Sequence, residues 1–235
     1  MFPLRDNIRS RSFPIVNWSL IAASVLVFFF EQGLEFGFGG AAFQRFLTLF
    51  GLVPSDFSLL NPLSYISVIS SIFLHGGWFH LISNMWILYI FGDNVEDRMG
   101  SLRYLVFYLA SGIAAGLTHV VFASDSSLPT VGASGAIAGV LGAYMILYPR
   151  ARVVTLIPLF IFPWLVEIPA LFFLGIWFLS QVSSGLLSVG AMTPFGGIAW
   201  WAHIGGFVFG LLLVRFFARR PQVQNLWQPE DYWSA

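Results

Sequence analysis

The stretch GASGAIAGVLGAYMILY occupies residues 132–148 and contains no charged side chain. Its apolar part, Ala133 to Tyr148, is typical of a helix that crosses or lies inside a membrane. Gly135 and Gly139 are four residues apart, so both lie on one face of that helix and let a neighbouring backbone approach closely. The stretch therefore predicts a closely packed membrane helix with one polar side chain, Ser134, at its start.

The composition of the whole chain agrees with a membrane protein. Of its 235 residues, 57% are hydrophobic and 9% are charged, whereas soluble domains carry roughly a quarter charged residues. The formal net charge is +0 and there is no Lys, so the chain lacks the basic surface that nucleic-acid binding needs. With no Cys, a disulfide framework, a thiolate metal site and a thiol nucleophile are excluded.

Hydropathy predicts an all-α, polytopic membrane protein with six transmembrane helices. A seventh apolar run, Val153–Val166, is short and interrupted by Pro158 and Pro163, so we interpret it as a re-entrant or interfacial connection. The six predicted spans are approximately Ile15–Phe30, Trp78–Phe91, Leu102–Phe122, Ala133–Tyr148, Ile168–Leu187 and Ile198–Phe217.

Arginine distribution orients these spans, because cytoplasmic loops collect positive charge. With six spans and the N-terminus inside, every Arg except Arg45 lies on the cytoplasmic side. We therefore expect a multi-pass protein of the plasma (cell inner) membrane with both termini cytoplasmic. The predicted parts are a cytoplasmic segment 1–14, a membrane domain 15–220 and a cytoplasmic polar tail 221–235. The long apolar connection from Glu31 to Gly77 is predicted to lie in the outer interface and to contain short helices.

Polar side chains inside a membrane are costly and are candidates for function. In the predicted orientation His80, Asn84, Ser134 and His203 all lie near the outer ends of their helices, within roughly 10 Å along the membrane normal. His80 and Asn84 are four residues apart, so both can donate hydrogen bonds to one point, as an oxyanion requires. Ser134 at a helix start has unpaired backbone N–H groups beside it, although a simple N-cap is the alternative interpretation.

A second pair of small residues, Gly206 and Gly210, follows His203 in the sixth span. Close packing of this face against Gly135 and Gly139 would bring Ser134 within hydrogen-bond reach of His203, as a hydroxyl nucleophile needs from its base. Alternatively, these glycines serve only to pack the two helices together and have no link to catalysis.

Three further ionisable residues have simpler interpretations. His75, just before the second span, either supports the polar layer or is interfacial. His119, near the outer end of the third span, is predicted to be interfacial, and Glu167 to be a solvated charge at a helix end.

Together these motifs resemble those of the rhomboid family of intramembrane serine proteases. The resemblance covers about residues 60–217. It rests on His80-x-x-x-Asn84, Gly132-x-Ser134-Gly135, Ala202-His203-x-Gly205-Gly206 with Gly210, and Phe91-Gly92-x-x-x-Glu96-x-x-x-Gly100 leading to Tyr104.

The resemblance implies a six-helix core in which Ser134 is the nucleophile and His203 the general base of a dyad, without metal or cofactor. It also implies an oxyanion hole made by His80, Asn84 and the Ser134 backbone N–H, with Gly132, Gly135, His75 and Gly206 in support. The implied substrates are single-span membrane proteins that enter laterally past the fifth span; the implied gate residues are Phe172, Phe173, Trp177 and Phe178. Relatives often carry an aromatic residue where this chain has Ala138, so another residue must hold the His203 ring. The Trp-Arg pair found in the first outer loop of some relatives is also missing.

Three other functions are alternatives to this one. A non-catalytic rhomboid-like factor that binds or escorts membrane proteins is the nearest, but such relatives lose the nucleophile or base. A channel or transporter should show paired broken helices or midplane charges, and a zinc hydrolase a His-Glu-x-x-His helix; the sequence has none of these. No feature predicts an oligomeric state.

Overall fold

The computed structural model describes residues 1–159, 162–188 and 198–219. The predicted tail 221–235 lies outside these ranges. The helices are α1 (Ile15–Phe38), α2 (Gly40–Phe50), α3 (Pro62–Ser70), α4 (Trp78–Met99), α5 (Ser101–Phe122), α6 (Ser134–Leu147), α7 (Ala170–Ser188) and α8 (Trp200–Phe217), with a short 3-10 helix at Pro54–Asp56. The strands are β1 (Phe2–Asp6), β2 (Arg152–Leu159) and β3 (Phe162–Pro169).

Helix α6 is the centre of the bundle. Every residue from Gly135 to Tyr144 is buried, and α6 packs against α4, α5, α7 and α8. A helix that is apolar on all sides has no face to turn outward, so it is enclosed by the others. The stretch 132–148 thus takes the central place in the fold.

Glycines set the spacing between α6 and α8. A side chain at Gly206 would collide with the backbone oxygen of Gly135, and one at Gly210 with that of Gly139. On its other side α6 meets α5, where Gly139 lies against Ser111. The predicted close packing of the two glycine pairs is therefore present, with α5 as a third partner.

Four helices, α1, α5, α7 and α8, are long and apolar enough to cross a membrane. Helix α6 is apolar but has only 14 residues. Helix α4 has the length but carries His80, Asn84 and Asp93. All six predicted spans are present as helices; that each of them crosses the bilayer stays a prediction.

The expectation of an all-α chain is wrong, because the described residues include a three-stranded antiparallel sheet in the order β1-β2-β3. The described parts of the run Val153–Val166 lie in the antiparallel strands β2 and β3, in which Pro158 lies opposite Pro163. β-Branched residues favour extended backbone, and proline is tolerated where no ladder hydrogen bond is needed. Glu167 is accordingly a strand residue, exposed beside Arg152 at 3.9 Å, and not a helix-end charge.

The N-terminal segment supplies the third strand. β1 pairs with β2 from Phe2↔Leu156 to Asp6↔Val153. Tyr144 of α6 and the Asn94 side chain both donate hydrogen bonds to Asp6. Burial raises the pKa of Asp6, while the hydrogen bond from Tyr144 opposes that rise. Segment 1–14 is thus attached to the bundle at the end of α6 opposite Ser134.

The start of α1 is held by Glu96 of α4, which belongs to the sequence motif that runs from Phe91 to Tyr104. The Glu96 carboxylate accepts hydrogen bonds from the backbone N–H groups of Val16 (3.1 Å) and Asn17 (2.7 Å) and from the Ser101 hydroxyl (2.6 Å). Unpaired N–H groups at a helix start attract a carboxylate. Tyr104 then donates to the Asn17 side chain at 2.7 Å, so the motif joins α1, α4 and α5.

The connection between α1 and α4 contains short helices, as predicted, and it contacts the segment that leads into α6. Leu52 and Thr130 exchange backbone hydrogen bonds of 3.0 and 2.8 Å. The Gly132 N–H donates to the Ser71 carbonyl at 2.9 Å. This connection therefore positions the backbone just before Ser134.

Replacing Gly210 with Ala is expected to destabilise the bundle by about 1–3 kcal/mol, the usual cost of overpacking. The added methyl would meet the Gly139 carbonyl oxygen, which belongs to a helix backbone and cannot rotate away. Reversible unfolding in mixed SDS micelles measures the loss. Gly175→Ala is the matched control, since a methyl there meets nothing within 4 Å. Equal stability of the two variants would contradict glycine-dependent packing of α6 on α8.

Candidate active site

Ser134 and His203 meet where α6 and α8 begin. The Ser134 Oγ lies 2.8 Å from His203 Nε2, a normal hydrogen-bond distance. Ser134 is the first residue of α6, and His203 is in the first turn of α8. The glycine contacts between these helices bring the two side chains together.

Ser134 does not serve as the N-cap of α6. The cap position is Ala133, and no side chain caps the helix there. The Ser134 hydroxyl instead points across to α8, and the first amide to find a helical partner is that of Ile137, 2.9 Å from the Ala133 carbonyl oxygen. The amides before Ile137, including that of Ser134, lack a helical acceptor.

The second nitrogen of His203 contacts a residue that sequence reasoning missed. Nδ1 lies 2.7 Å from the Oε1 of Gln181 on α7. The ring of Trp177 packs at 5.9 Å from the imidazole and that of Trp200 meets it edge-on at 6.3 Å. These three side chains hold the His203 ring, which Ala138 is too small to do. The signal for Gln181 was its carboxamide, the largest polar side chain of a mostly apolar helix.

His80 and Asn84 face the turn that precedes Ser134. A Cβ built on Gly132 would lie 2.6 Å from His80 Nε2 and 3.6 Å from Asn84 Nδ2, so both nitrogens border the same small space. The buried Asn84 Nδ2 has no hydrogen-bond partner among the described residues. Unsatisfied buried donors are rare, and one that faces a cavity is available to a ligand oxygen.

A single cavity joins these groups. Its volume is about 720 Å³, and its lining includes His80, Asn84, Ser134 and His203. Residues from α4, α6 and α8 therefore line one cavity. Gly132 and Gly135 also line it.

His75 lies behind His80 and outside the cavity lining. The two rings meet edge-on with centroids 5.3 Å apart. The His75 backbone N–H donates to the Glu31 carboxylate at 3.3 Å, and its Nδ1 to the Phe73 carbonyl at 3.1 Å. Burial, and to a lesser extent His80, lowers the pKa of His75 to about 4. His75 thus packs behind His80 as a neutral ring.

Some predicted residues lie elsewhere. His119 is buried, with 9% of its surface exposed, and does not line the cavity; its interfacial position stays a prediction. Of the four residues implied for the gate, Phe172 is exposed, whereas Phe173 is buried. Trp177 and Phe178 pack against Phe207 of α8. Within the described ranges, no three His, Asp or Glu side chains are grouped so that they could hold a metal ion.

A family model described as the Rhomboid domain matches residues 62–220. This chain belongs to the rhomboid family. Its helices and its family make it a multi-pass membrane protein, as predicted. The matched range contains α4 to α8 and hence His80, Asn84, Ser134 and His203.

Curated relatives agree with this assignment. "Rhomboid protein 1, mitochondrial" of Saccharomyces cerevisiae is 30% identical over 185 residues, which are 77% of this chain and 49% of the relative. "Rhomboid protease GluP" of Bacillus subtilis is 37% identical over 132 residues, 56% of this chain and 24% of the relative. Human "Presenilin-associated rhomboid-like protein, mitochondrial" is 27% identical over 207 residues, 84% of this chain and 47% of the relative. The rhomboid chain thus spans about half or less of the length of these relatives.

The position of His80 in this rhomboid depends on Gly132. Gly132 has φ +126°, and a methyl there would lie 2.6 Å from the His80 ring. Gly132→Ala should therefore displace His80. On the sequence prediction that His80 is an oxyanion donor, it should also slow labelling of Ser134 by a fluorophosphonate at least about tenfold, because loss of one such donor costs roughly 100- to 1000-fold. The rate of label incorporation in detergent measures the effect.

Gly76→Ala is the control for this substitution. A methyl at Gly76 would lie 3.9 Å from His80 Nδ1, an ordinary contact, so labelling should keep its normal rate. Equal rates for both variants would show that Gly132 does not set the position of His80.

Proposed function

We propose that this rhomboid is an intramembrane serine endopeptidase that hydrolyses peptide bonds in or near the transmembrane helices of single-span membrane proteins. The observation that carries the proposal is the 2.8 Å contact of Ser134 Oγ with His203 Nε2 in a cavity of a membrane helix bundle. A hydroxyl is a weak nucleophile until an adjacent base accepts its proton.

In the proposed reaction Ser134 Oγ attacks the scissile carbonyl carbon while its proton passes to His203 Nε2. The C–O double bond opens and its electron pair moves to the oxygen. His203 then gives the proton to the departing amine as the C–N bond breaks, which leaves an acyl-enzyme. A water molecule then adds to the ester carbonyl as His203 takes its proton; the C–Oγ bond breaks, His203 gives that proton to Ser134 Oγ, and the new carboxylic acid leaves.

We propose that three donors bind the oxyanion. The Ser134 backbone N–H has no helical acceptor and lies at the positive end of the α6 dipole. The nitrogens of His80 and Asn84 border the space in front of Gly132. Such donors are fixed before reaction, so stabilising the developing charge requires little reorganisation.

The proposed substrate must be partly unwound at the cleavage point. In a membrane helix every backbone carbonyl is hydrogen-bonded internally. A carbonyl still bonded in this way cannot turn toward His80 and Asn84, so we expect cleavage near a helix end and at helix-weakening residues. We propose that movement of α7, which bears Phe172 and packs on α8 through Phe178, admits the substrate from the bilayer.

A rhomboid that binds or escorts clients without cutting them is the alternative. It has no need of a base in contact with Ser134. Retention of both dyad residues in hydrogen-bond geometry therefore supports the protease.

Ser134→Ala and His203→Ala should each abolish cleavage of a model single-span substrate in liposomes. The first removes the nucleophile and the second its base. Gel analysis of the two expected fragments measures cleavage. Ser19→Ala is the control, since that hydroxyl bonds only to Ile15 within α1. Undiminished cleavage by Ser134→Ala, or none by the unmodified chain against a panel of substrates, would reject the proposal.

Asn84→Ala should slow turnover by roughly 10- to 1000-fold through loss of one oxyanion donor. The fall should lie in kcat, because the bond forms mainly in the transition state. Steady-state kinetics separate kcat from KM. Asn7→Ala removes an amide that accepts only from Arg152 N–H and should leave kcat unchanged. Full activity in both Asn84→Ala and His80→Ala would show that the oxyanion is bound elsewhere.

A further inference from the structure

Gln181 lies on α7 and takes no part in the proton transfers proposed for Ser134 and His203. Its side chain is buried, with 6% of the residue exposed, in a helix whose only other polar side chains are four serine hydroxyls. A buried carboxamide in such a helix is costly unless its polar atoms are paired. The partner of its oxygen is the base itself, at 2.7 Å from Nδ1 of His203.

Local hydrogen bonds determine which end of the carboxamide faces His203. The Gln181 Nε2 lies 3.0 Å from the Ser180 hydroxyl oxygen and 3.4 Å from the Trp177 carbonyl oxygen, and both can accept a hydrogen bond. An amide group donates only through nitrogen, so Oε1 must be the atom that faces the imidazole. Because Oε1 can only accept, Nδ1 must carry a proton.

A proton on Nδ1 defines the useful tautomer. The neutral ring then has its lone pair on Nε2, the nitrogen that faces the Ser134 hydroxyl. The opposite tautomer would point an N–H at Ser134 and could not accept its proton. The same Nδ1–H···O contact strengthens when the ring becomes protonated, since hydrogen bonds from a charged donor are stronger.

We propose that Gln181 is a positioning residue for the general base. It holds His203 in the tautomer and orientation that accept the Ser134 proton, and it stabilises the imidazolium that forms. This inference rests on the proposed protease function. Gln181 takes the place that a carboxylate holds in a serine triad, but as a neutral acceptor it adds no buried charge.

Among the described residues, Gln181 is the one hydrogen-bond acceptor in contact with His203 Nδ1. Trp177 and Trp200 confine the ring through their faces and edges. The other ionisable groups that act on it are two more imidazoles, His80 on α4 and His119 on α5. Neither makes a hydrogen bond to His203 within the part of the chain that the structure describes.

The position of Gln181 also ties the base to α7. The contact exists only while α7 packs on α8, where Phe178 stacks on Phe207 at 4.5 Å. If α7 moves to admit substrate, it must return before His203 is correctly held. Substrate entry and base orientation thereby depend on the same helix.

Two substitutions of similar size test this role in the full chain. Gln181→Met removes the acceptor, and kcat should fall roughly 10- to 100-fold with KM little changed, because a hydrogen bond to a charged group is lost. Gln181→Glu restores an acceptor and adds a negative charge that favours the imidazolium. Its kcat should recover to within about tenfold of the unmodified chain, and the acid limb of its pH–kcat profile should move about 1–3 units to higher pH.

Liposome cleavage of the model substrate between pH 4 and 9 gives both measurements, with Ser183→Ala, an exposed α7 residue, as control. A purely structural role for Gln181 would not move the acid limb. Unchanged kcat in Gln181→Met, or an unmoved acid limb in Gln181→Glu, would overturn the inference. If Gln181→Met does not fold, the pH profile of Gln181→Glu alone decides the test. If the unmodified chain itself cuts nothing, it is the proposed function that fails.

Discussion

The backbone contact between α6 and α8 is the constraint on which the site depends. Gly206 and Gly210 lie against the carbonyl oxygens of Gly135 and Gly139, at a separation that no side chain would allow. Only at that separation can Ser134 Oγ reach His203 Nε2 at 2.8 Å. The glycines that pack the bundle and the residues proposed to react are therefore parts of one arrangement, which explains why the site lies at the first turns of two closely packed helices.

The remaining elements hold that arrangement from three sides. The connection between α1 and α4 bonds to Thr130 and Gly132 and so fixes the turn before Ser134. Helix α4 brings His80 and Asn84 to the same turn, with His75 behind them. Helix α7 contributes Gln181 and Trp177 to the far side of the His203 ring. A hydroxyl and an imidazole with few other polar neighbours are thus held in one geometry, as preorganised catalysis requires.

The spacing of residues along the chain predicted the helices, the contact between the glycine pairs, and the grouping of His80, Asn84, Ser134 and His203. Each of these depends on the 3.6-residue helical period and on where helices begin. Non-local features were missed. β1 pairs with a strand about 150 residues later in the chain, and a short N-terminal run gives no sign of a distant partner. Gln181 was overlooked because a lone amide does not reveal which neighbour it faces; that depends on how α7 packs on α8. The number of membrane crossings depends on the bilayer, and it stays a prediction.

An experimental structure of the chain after reaction with a fluorophosphonate tests the central claim most directly. We expect phosphorus bonded to Ser134 Oγ, His203 Nε2 within hydrogen-bond distance, and a phosphoryl oxygen about 2.7–3.1 Å from the Ser134 N–H and from a nitrogen of His80 or Asn84. A label on another residue, or a phosphoryl oxygen turned away from all three donors, would contradict the proposed site.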